Sequence, residues 1–316
     1  MSAIEPVQVT YTGALCSVLA WVLGWATLYF VLCVLNSSHK NEWNCRIVSA
    51  VHAITVCCLA FWAVFVQGPW VFTLPDDYAI WRCFKYILQG HFWELYTFGP
   101  GGRSSPLQQF IAEMSLGYFL YDFMWCIYFK TEGFVMLLHH CLSSIGLGVT
   151  VLRGMYGTEM VATLLATEVT NPFLQFRWFL RQTGQYETLL GEVNDILFMA
   201  LFGFARIGMG TSLLITYYQH PNTDFLGKFG GTCIYIIGWL FWISIMRFAL
   251  KKYTKMYHLW KKGKLKLDED HYKIKSEENG SLDTGDIIGD LDIEEIKEEI
   301  KEIAEEIKEE IKEKIH

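Results

Sequence analysis

Seven long apolar segments constrain this chain more than any other feature of its sequence. A bilayer core of ~30 Å requires about 20 mainly apolar residues in an α-helix. Segments close to that length lie at about 13–35, 47–66, 111–129, 134–152, 157–180, 189–217 and 229–250. The sequence therefore predicts an all-α integral membrane protein of about seven transmembrane helices. The fifth segment contains Glu159, Glu168, Asn171 and Pro172, so a broken or re-entrant helix stays open for it.

Basic residues beside the last segment set the predicted orientation. Eight Lys and Arg residues lie between Arg247 and Lys266 with no acid among them, which is typical of the cytosolic side of a membrane. Seven crossings then place the C-terminus in the cytosol and the N-terminus in the lumen. The aromatic-rich loop at 67–110 is predicted to lie at the membrane interface, because amphipathic aromatic rings favour the headgroup level.

The C-terminal tail is acidic and has two predicted parts. Residues 261–290 form a disordered linker, since they hold few apolar residues. Residues 291–316 place isoleucines three and four positions apart on a Glu/Lys helix, which predicts a cytosolic amphipathic helix that self-associates or binds a partner as a coiled coil. No nucleic-acid partner is expected. No metal site is expected either, because the chain has no C-x-x-C pair.

Ionisable residues inside the spans are the candidate functional residues, because burying them in a membrane is costly. At 1.5 Å per residue, His139 and His140 lie roughly 8–9 Å inside the cytosolic end of the fourth span. Asp122 and Asp195 lie roughly 11 and 9 Å inside the same leaflet on the third and sixth spans. Similar depth predicts that the four residues share one site. The alternative is that each polar group only joins two helices by a hydrogen bond.

The chemistry of such a site would centre on an imidazole. A carboxylate beside a histidine fixes its tautomer and raises its basicity, so the histidine can deprotonate a nucleophile or attack an acyl group. Adjacent histidines point about 100° apart on a helix. We therefore expect one of His139 and His140 to face a cavity and the other to pack against or orient it. Glu168 and Asn171 lie deeper, roughly 13–18 Å from the cytosolic end of the fifth span.

Several short motifs resemble those of a known membrane family. The stretch G-Y-F-L-Y-D at 117–122, followed by M-L-L-H-H at 136–140, resembles the TLC-domain family. That family includes ceramide synthases, translocon-associated membrane proteins and a ceroid-lipofuscinosis protein. Residues 168–178 look like the acidic helix of the family, and 195–206 looks like its D-x-x-F-x-x-x-F-x-x-x-R helix. The resemblance covers about 43–260.

The resemblance implies a domain division and a fold. Residues 1–42 would form a first transmembrane helix and a cytosolic loop outside the TLC domain. Residues 43–260 would form a TLC-type barrel of six transmembrane helices, spans two to seven. The last five residues resemble a K-x-K-x-x retrieval signal, which implies the endoplasmic reticulum.

The resemblance also implies an activity. In ceramide synthases the histidine pair catalyses acyl-CoA-dependent N-acylation from a cavity that opens to the cytosol. Membrane lipids and acyl-CoA are then the expected partners, without a further cofactor, and the function is lipid homeostasis, including acyl transfer to a lipid amine or hydroxyl. The expected substrate-binding residues are Tyr118, Glu168, Asn171 and Arg177. The T-N-P-x-x-Q-x-R-W element at 170–178 belongs to the non-synthase branch, so a non-catalytic lipid-binding regulator or cargo adaptor is the alternative.

Overall fold

The computed structural model describes residues 6–67, 99–220 and 222–261. Within these ranges the chain is helical, and its only extended pairing is an isolated bridge between Arg103 and Met155. The central part of the predicted interfacial loop, the linker after residue 261 and the tail helix at 291–316 with its retrieval signal lie outside the described residues.

The helices follow the predicted spans closely. The α-helices of the described residues are α1 (Tyr11–Leu35), α2 (Asn41–Phe61), α3 (Pro106–Phe129), α4 (Phe134–Arg153), α5 (Gly157–Glu168), α6 (Asn171–Gln182), α7 (Leu189–Leu201), α8 (Gly210–Gln219) and α9 (Phe225–Lys261). Two π-helical segments continue them: Trp62–Gln67 extends α2, and Phe202–Met209 joins α7 to α8.

In the part of the chain that the structure describes, five continuous helical segments are long and apolar enough to cross a membrane. They are Tyr11–Leu35, Asn41–Gln67, Phe134–Arg153, Leu189–Gln219 and Phe225–Thr254. They coincide with five of the seven predicted spans, which confirms an all-helical membrane protein. The other two predicted spans, α3 and the α5–α6 pair, are helical but contain more polar residues or a break. The count of seven crossings and the six-helix barrel stay predictions.

Two compact units divide the described residues. The first comprises 6–131 and 137–242, and it contains every site described below. The second comprises 132–136 and 243–261, so it includes the C-terminal part of α9 with its basic residues.

Helix α3 lies at the centre of the first unit. Fourteen of its 24 residues are buried, including the polar Gln108, Gln109, Ser115 and Asp122. A capping box starts the helix, in which Ser105 accepts from the backbone N–H of Gln108 and the Gln108 side chain accepts from the Ser105 N–H. Because these polar groups face protein and not lipid, the low hydropathy of α3 is compatible with its position.

Helix α1 packs against α3 at a glycine. The indole of Trp25 donates to the carbonyl oxygen of Met114 at 3.2 Å. A Cβ atom on Gly117 would meet the side chain of Trp21 and lie 3.0 Å from the backbone nitrogen of Val22. Only four α1 side chains are buried, so α1 borders the unit on one side and presents apolar residues outward.

The fifth predicted span is broken into two helices. Helix α5 ends at Glu168 and α6 begins at Asn171, with Pro172 in its first turn. Proline lacks a backbone N–H and clashes with the preceding turn, so it favours a new helix start. The Asn171 amide donates to Glu168 Oε2 at 2.8 Å across the break. The break therefore places two polar side chains inside the unit.

The helix ends of the first unit gather at two faces. At one face, the N–H of Val7 donates to the Ser104 carbonyl at 3.2 Å, and the N–H of Ser104 donates to the Gly154 carbonyl at 2.8 Å. At the other face, the ring of Trp43, in the first turn of α2, lies 4.8 Å from the ring of Phe179, near the end of α6. Helices α1 to α4 therefore run in alternating directions, as successive membrane crossings require.

Candidate functional site

The two adjacent histidines of α4 face different surroundings. His140 is buried, and its Nε2 lies 3.5 Å from Asp122 Oδ2 on α3. His139 instead lines a cavity inside the unit. This divergence follows from the 100° turn between neighbouring helix positions. The structure thus brings Asp122 to His140 and turns His139 toward this cavity.

The cavity beside His139 has a volume of about 300 Å³ and mostly apolar walls. Its lining residues extend over 139–150 on α4, 156–167 on α5 and its N-cap, 205–217 on the second π-helix and α8, and 226–238 on α9. Each of these stretches covers eleven or twelve steps, or roughly 16–18 Å at 1.5 Å per residue. Because the hydrocarbon core of a bilayer is ~30 Å thick, the cavity is about as long as one leaflet is deep.

Arg206 lies at the same end of the cavity as His139. Its Nη2 donates to the carbonyl oxygen of Thr167 at 2.7 Å, and its guanidinium carbon lies 4.8 Å from the centre of the Phe202 ring. Arg206 belongs to the π-helix between α7 and α8, and π-helical turns are frequent at functional sites. The cavity therefore has an imidazole and a guanidinium at one end of an apolar chamber.

The opposite end of the cavity carries oxygen-bearing side chains. Tyr156, Glu159 and Tyr217 line it, and the Tyr156 hydroxyl donates to Asp224 Oδ2 at 2.5 Å in the loop before α9. Partial burial alone would raise the pKa of Asp224, but this hydrogen bond and the Arg153 guanidinium at 3.4 Å hold the pKa below its usual value. This end lies at the face of Val7 and Gly154, so the cavity extends from His139 toward the predicted lumenal side.

Glu168, Asn171 and Tyr118 lie together around a histidine that the sequence analysis did not select. His52 on α2 is fully buried, and its Nδ1 lies 3.7 Å from Glu168 Oε2. The His52 ring stacks on Tyr118 with 3.7 Å between centroids and 10° between planes. Three of the predicted substrate-binding residues therefore form a polar cluster between α2, α3 and the α5–α6 break.

Asp195 and Arg177 form a third buried group. Arg177 Nε lies 3.1 Å from Asp195 Oδ1, and both side chains are almost fully buried. The Tyr186 hydroxyl donates to Asp195 Oδ2 at 2.6 Å and accepts from Arg177 Nη2 at 2.8 Å. These contacts join α6 to α7 through the turn between them. The predicted catalytic residues are thus divided, with Asp122 at His140 and Asp195 in an ion pair with Arg177.

Several contributing residues were missed or placed differently by the sequence analysis. His52 lies inside the second predicted span, so the rule that ionisable residues within spans are candidates also applies to it. Cys45 was not selected, although its thiol lies 3.6 Å from Asp122 Oδ1 and donates to it. Arg206, which lies in the D-x-x-F-x-x-x-F-x-x-x-R stretch, donates to the backbone of Thr167 and also interacts electrostatically with Glu168 of α5.

Comparison with known proteins places these helices in a family. The TLC domain profile matches residues 42–253, which is two thirds of the chain. TLC domain-containing protein 4 A of Dictyostelium discoideum is 24% identical over 177 residues, 54% of this chain and 58% of that protein. TLC domain-containing protein 2 of Danio rerio is 27% identical over 124 residues, 39% of this chain and 49% of that protein.

A TLC domain-containing protein of Saccharomyces cerevisiae, itself uncharacterised, is 30% identical over 122 residues, 36% of this chain and 38% of that protein. The chain spans about half the length of the curated relatives it matches. No solved structure shows a significant match. Because the matched profile runs from the start of α2 into α9, the chain belongs to the TLC-domain family.

Proposed function

We propose that this membrane protein transfers an acyl group from acyl-CoA to the amine or hydroxyl of a membrane lipid. The observation that carries the proposal is the position of His139 at one end of an apolar cavity roughly 16 Å long. Such a cavity fits one hydrocarbon chain of a lipid, since its length is about half of the ~30 Å bilayer core. An acyl chain lying in it would bring its carbonyl carbon to the imidazole.

The reaction needs one base and one group that stabilises negative charge. His139 takes the proton from the acceptor amine or hydroxyl, which then attacks the thioester carbonyl. The C–S bond breaks, a C–N or C–O bond forms, and the proton passes from His139 to the departing CoA sulfur. Arg206, at the same end of the cavity, is suited to stabilise the oxyanion of the tetrahedral intermediate.

The remaining predicted residues position this pair. His140 contacts Asp122, and that contact fixes the segment of α4 from which His139 projects. Glu168 and Asn171 sit at the α5–α6 break, and Glu168 directly follows Thr167, whose carbonyl oxygen accepts from Arg206. Tyr118 packs on His52 behind this region. Arg177 and Asp195 hold α6 and α7 together, so we propose a structural contribution for them.

The element at 170–178 supports a place in the non-synthase branch, to which TLC domain-containing protein 5 (transmembrane protein 136) belongs. The retrieval-like residues 312–316 support the endoplasmic reticulum as the compartment. These two features also support the second candidate, a non-catalytic lipid-binding regulator or cargo adaptor whose 291–316 helix recruits a partner. In that case the cavity would hold a lipid without converting it.

A single reconstituted assay separates the two candidates. The full-length protein in lipid nanodiscs is incubated with isotope-labelled acyl-CoA, and labelled lipids are identified by mass spectrometry. We expect wild type to form a labelled amide or ester and His139→Ala to form none. The control His39→Ala should match wild type, because His39 is exposed and does not line the cavity. Equal labelling by wild type and His139→Ala would contradict the proposal.

A cavity-filling variant distinguishes binding from turnover. Gly230 lines the cavity, and no atom lies within 4 Å of a Cβ added to it, so Gly230→Phe places a ring in the open space. We expect this variant to lose both the lipid that copurifies with wild type and the acyl transfer. A lipid that copurifies with wild type and His139→Ala but not with Gly230→Phe, without any labelled product, would favour the regulator.

A further inference from the structure

Three side chains of metal-ligating type converge between α3 and α4. Asp122, Cys126 and His140 offer donor atoms that all lie within 4.8 Å of one another, and all three residues are buried. Asp122 and Cys126 are four positions apart, which places them on one face of α3. We propose that this cluster binds a divalent transition-metal ion of the zinc type, bridging α3 and α4.

The donor set fits zinc by chemistry. Zinc accepts Cys sulfur at ~2.3 Å and His nitrogen or Asp oxygen at ~2.0–2.2 Å. The 3.5 Å separation of His140 Nε2 and Asp122 Oδ2 leaves room for an ion bonded to both. Because the donor atom of Cys126 lies within 4.8 Å of both others, a rotation of its side chain would bring the sulfur into the same shell. A mixed sulfur, nitrogen and oxygen set selects zinc over the oxygen-seeking magnesium and calcium.

Charge balance favours the ion inside a membrane helix bundle. A metal-bound Cys126 is a thiolate and a metal-bound Asp122 is a carboxylate, while His140 binds as the neutral imidazole. Two negative charges and one doubly positive ion sum to zero. A neutral cluster avoids the cost of leaving an unpaired charge in low-dielectric surroundings.

Neighbouring side chains form an outer layer that would orient the carboxylate. The Cys45 thiol of α2 donates to Asp122 Oδ1 at 3.6 Å, and the Tyr121 hydroxyl donates to Cys45 Sγ at 3.9 Å. Hydrogen bonds of this kind hold metal-binding carboxylates in place. Asp122 would thus direct Oδ2 toward the ion and Oδ1 toward α2.

The ion would act on structure and not on the substrate. Asp122, Cys126 and His140 are absent from the lining of the cavity, so an ion held by them faces α3 and α4. It would fix the register of α4 against α3 and thereby the direction in which His139 projects. The site does not depend on acyl transfer, because a protein that only binds lipid would gain the same stability from it.

Metal content of the purified full-length protein tests the site directly. The protein is stripped with a zinc chelator, reloaded with zinc and freed of excess metal, and its metal is measured by inductively coupled plasma mass spectrometry. We expect one equivalent per chain in wild type, none in Cys126→Ala, and one in Cys58→Ala, a matched control at an exposed cysteine of α2. Cys45→Ala should keep the site but lower its affinity about 10–100-fold, as outer-layer changes do.

A spectroscopic measurement on the wild-type protein tests the site even if a variant fails to fold. Cobalt loaded into the stripped protein should give a thiolate-to-cobalt charge-transfer band together with the visible bands of a tetrahedral ion. Cys126→His, which exchanges one ligand for another, should keep the visible bands and lose the charge-transfer band. A wild-type protein that holds no stoichiometric zinc and gives no thiolate band, or a Cys126→Ala protein with full zinc content, would overturn the proposal.

Discussion

Replacing Asp195 by alanine should destabilise the fold far more than replacing Asp224. Asp195 lies 3.1 Å from Arg177 in a pair that is 2–3% exposed, and Tyr186 donates to it. Removing one partner of such a buried pair costs about 3–5 kcal/mol. The Arg153–Asp224 pair is about half exposed, and exposed pairs contribute only about 0–1 kcal/mol. At about 2–4 °C per kcal/mol for domains of this order of size, Asp195→Ala should lower the melting temperature by roughly 6–20 °C.

Thermal unfolding in detergent, followed by tryptophan fluorescence, measures this difference. A double variant distinguishes the loss of the ion pair from the cost of one unpaired buried charge. Asp195→Leu combined with Arg177→Met removes both charges and should recover most of the lost stability, because apolar replacements of buried ion pairs are often neutral or stabilising. The reasoning would be refuted if Asp195→Ala melted within the range of Asp224→Ala while acyl transfer disappeared. Asp195 would then act in the reaction, as its predicted depth in the membrane beside the histidines indicates.

Three further outcomes follow from the packing and the topology. Gly117→Val should cost about 1–3 kcal/mol as an overpacked helix contact and lower the melting temperature, because its side chain meets Trp21 on α1; an unchanged melting temperature would contradict that close approach. Gly227→Ala should also destabilise, since its Cβ would meet the Tyr217 hydroxyl, and adding Tyr217→Phe should restore stability; failure of the double variant to recover would place the strain elsewhere. A reporter fused after His316 should be accessible from the cytosol, and one inserted at Gly102 should not. Equal accessibility of both would contradict an odd number of crossings between Gly102 and the C-terminus.

Depth along the membrane could be predicted from the sequence, whereas position around the bundle could not. The rise of an α-helix gives the height of each polar residue, and it placed Asp122, His140 and Asp195 in one layer. Arg177 lies at a comparable height, five residues from the end of α6, and it is Arg177 that pairs with Asp195. Which helices are neighbours depends on tertiary packing. Height alone therefore could not distinguish Asp122 from Asp195 as the partner of the histidines.

The position of Arg206 depended on a local departure from α-helical geometry. In a regular α-helix, Arg206 would lie eleven residues after Asp195, on the same face and roughly 16 Å further along. The π-helical segment Phe202–Met209 lies between α7 and α8 and includes this residue, and its wider turn shifts the residues that follow around the helix axis. Nothing in the composition of 202–209 marks a π-helix, so the alignment of Arg206 with His139 could only be seen in the structure.

Hydropathy alone does not identify all the helices that contribute to the site. Lipid-facing side chains must be apolar, so peripheral α1 gives a strong hydropathy signal although only four of its residues are buried. Helix α3 has 14 buried residues and supplies Asp122, yet it is not among the segments that meet the apolar criterion. The α5–α6 pair, which supplies Glu168 and Arg177, does not meet it either. Buried polar groups need protein partners and not lipid, so less apolar spans such as α3 contribute to the site alongside the strongly apolar α4, which supplies His139 and His140.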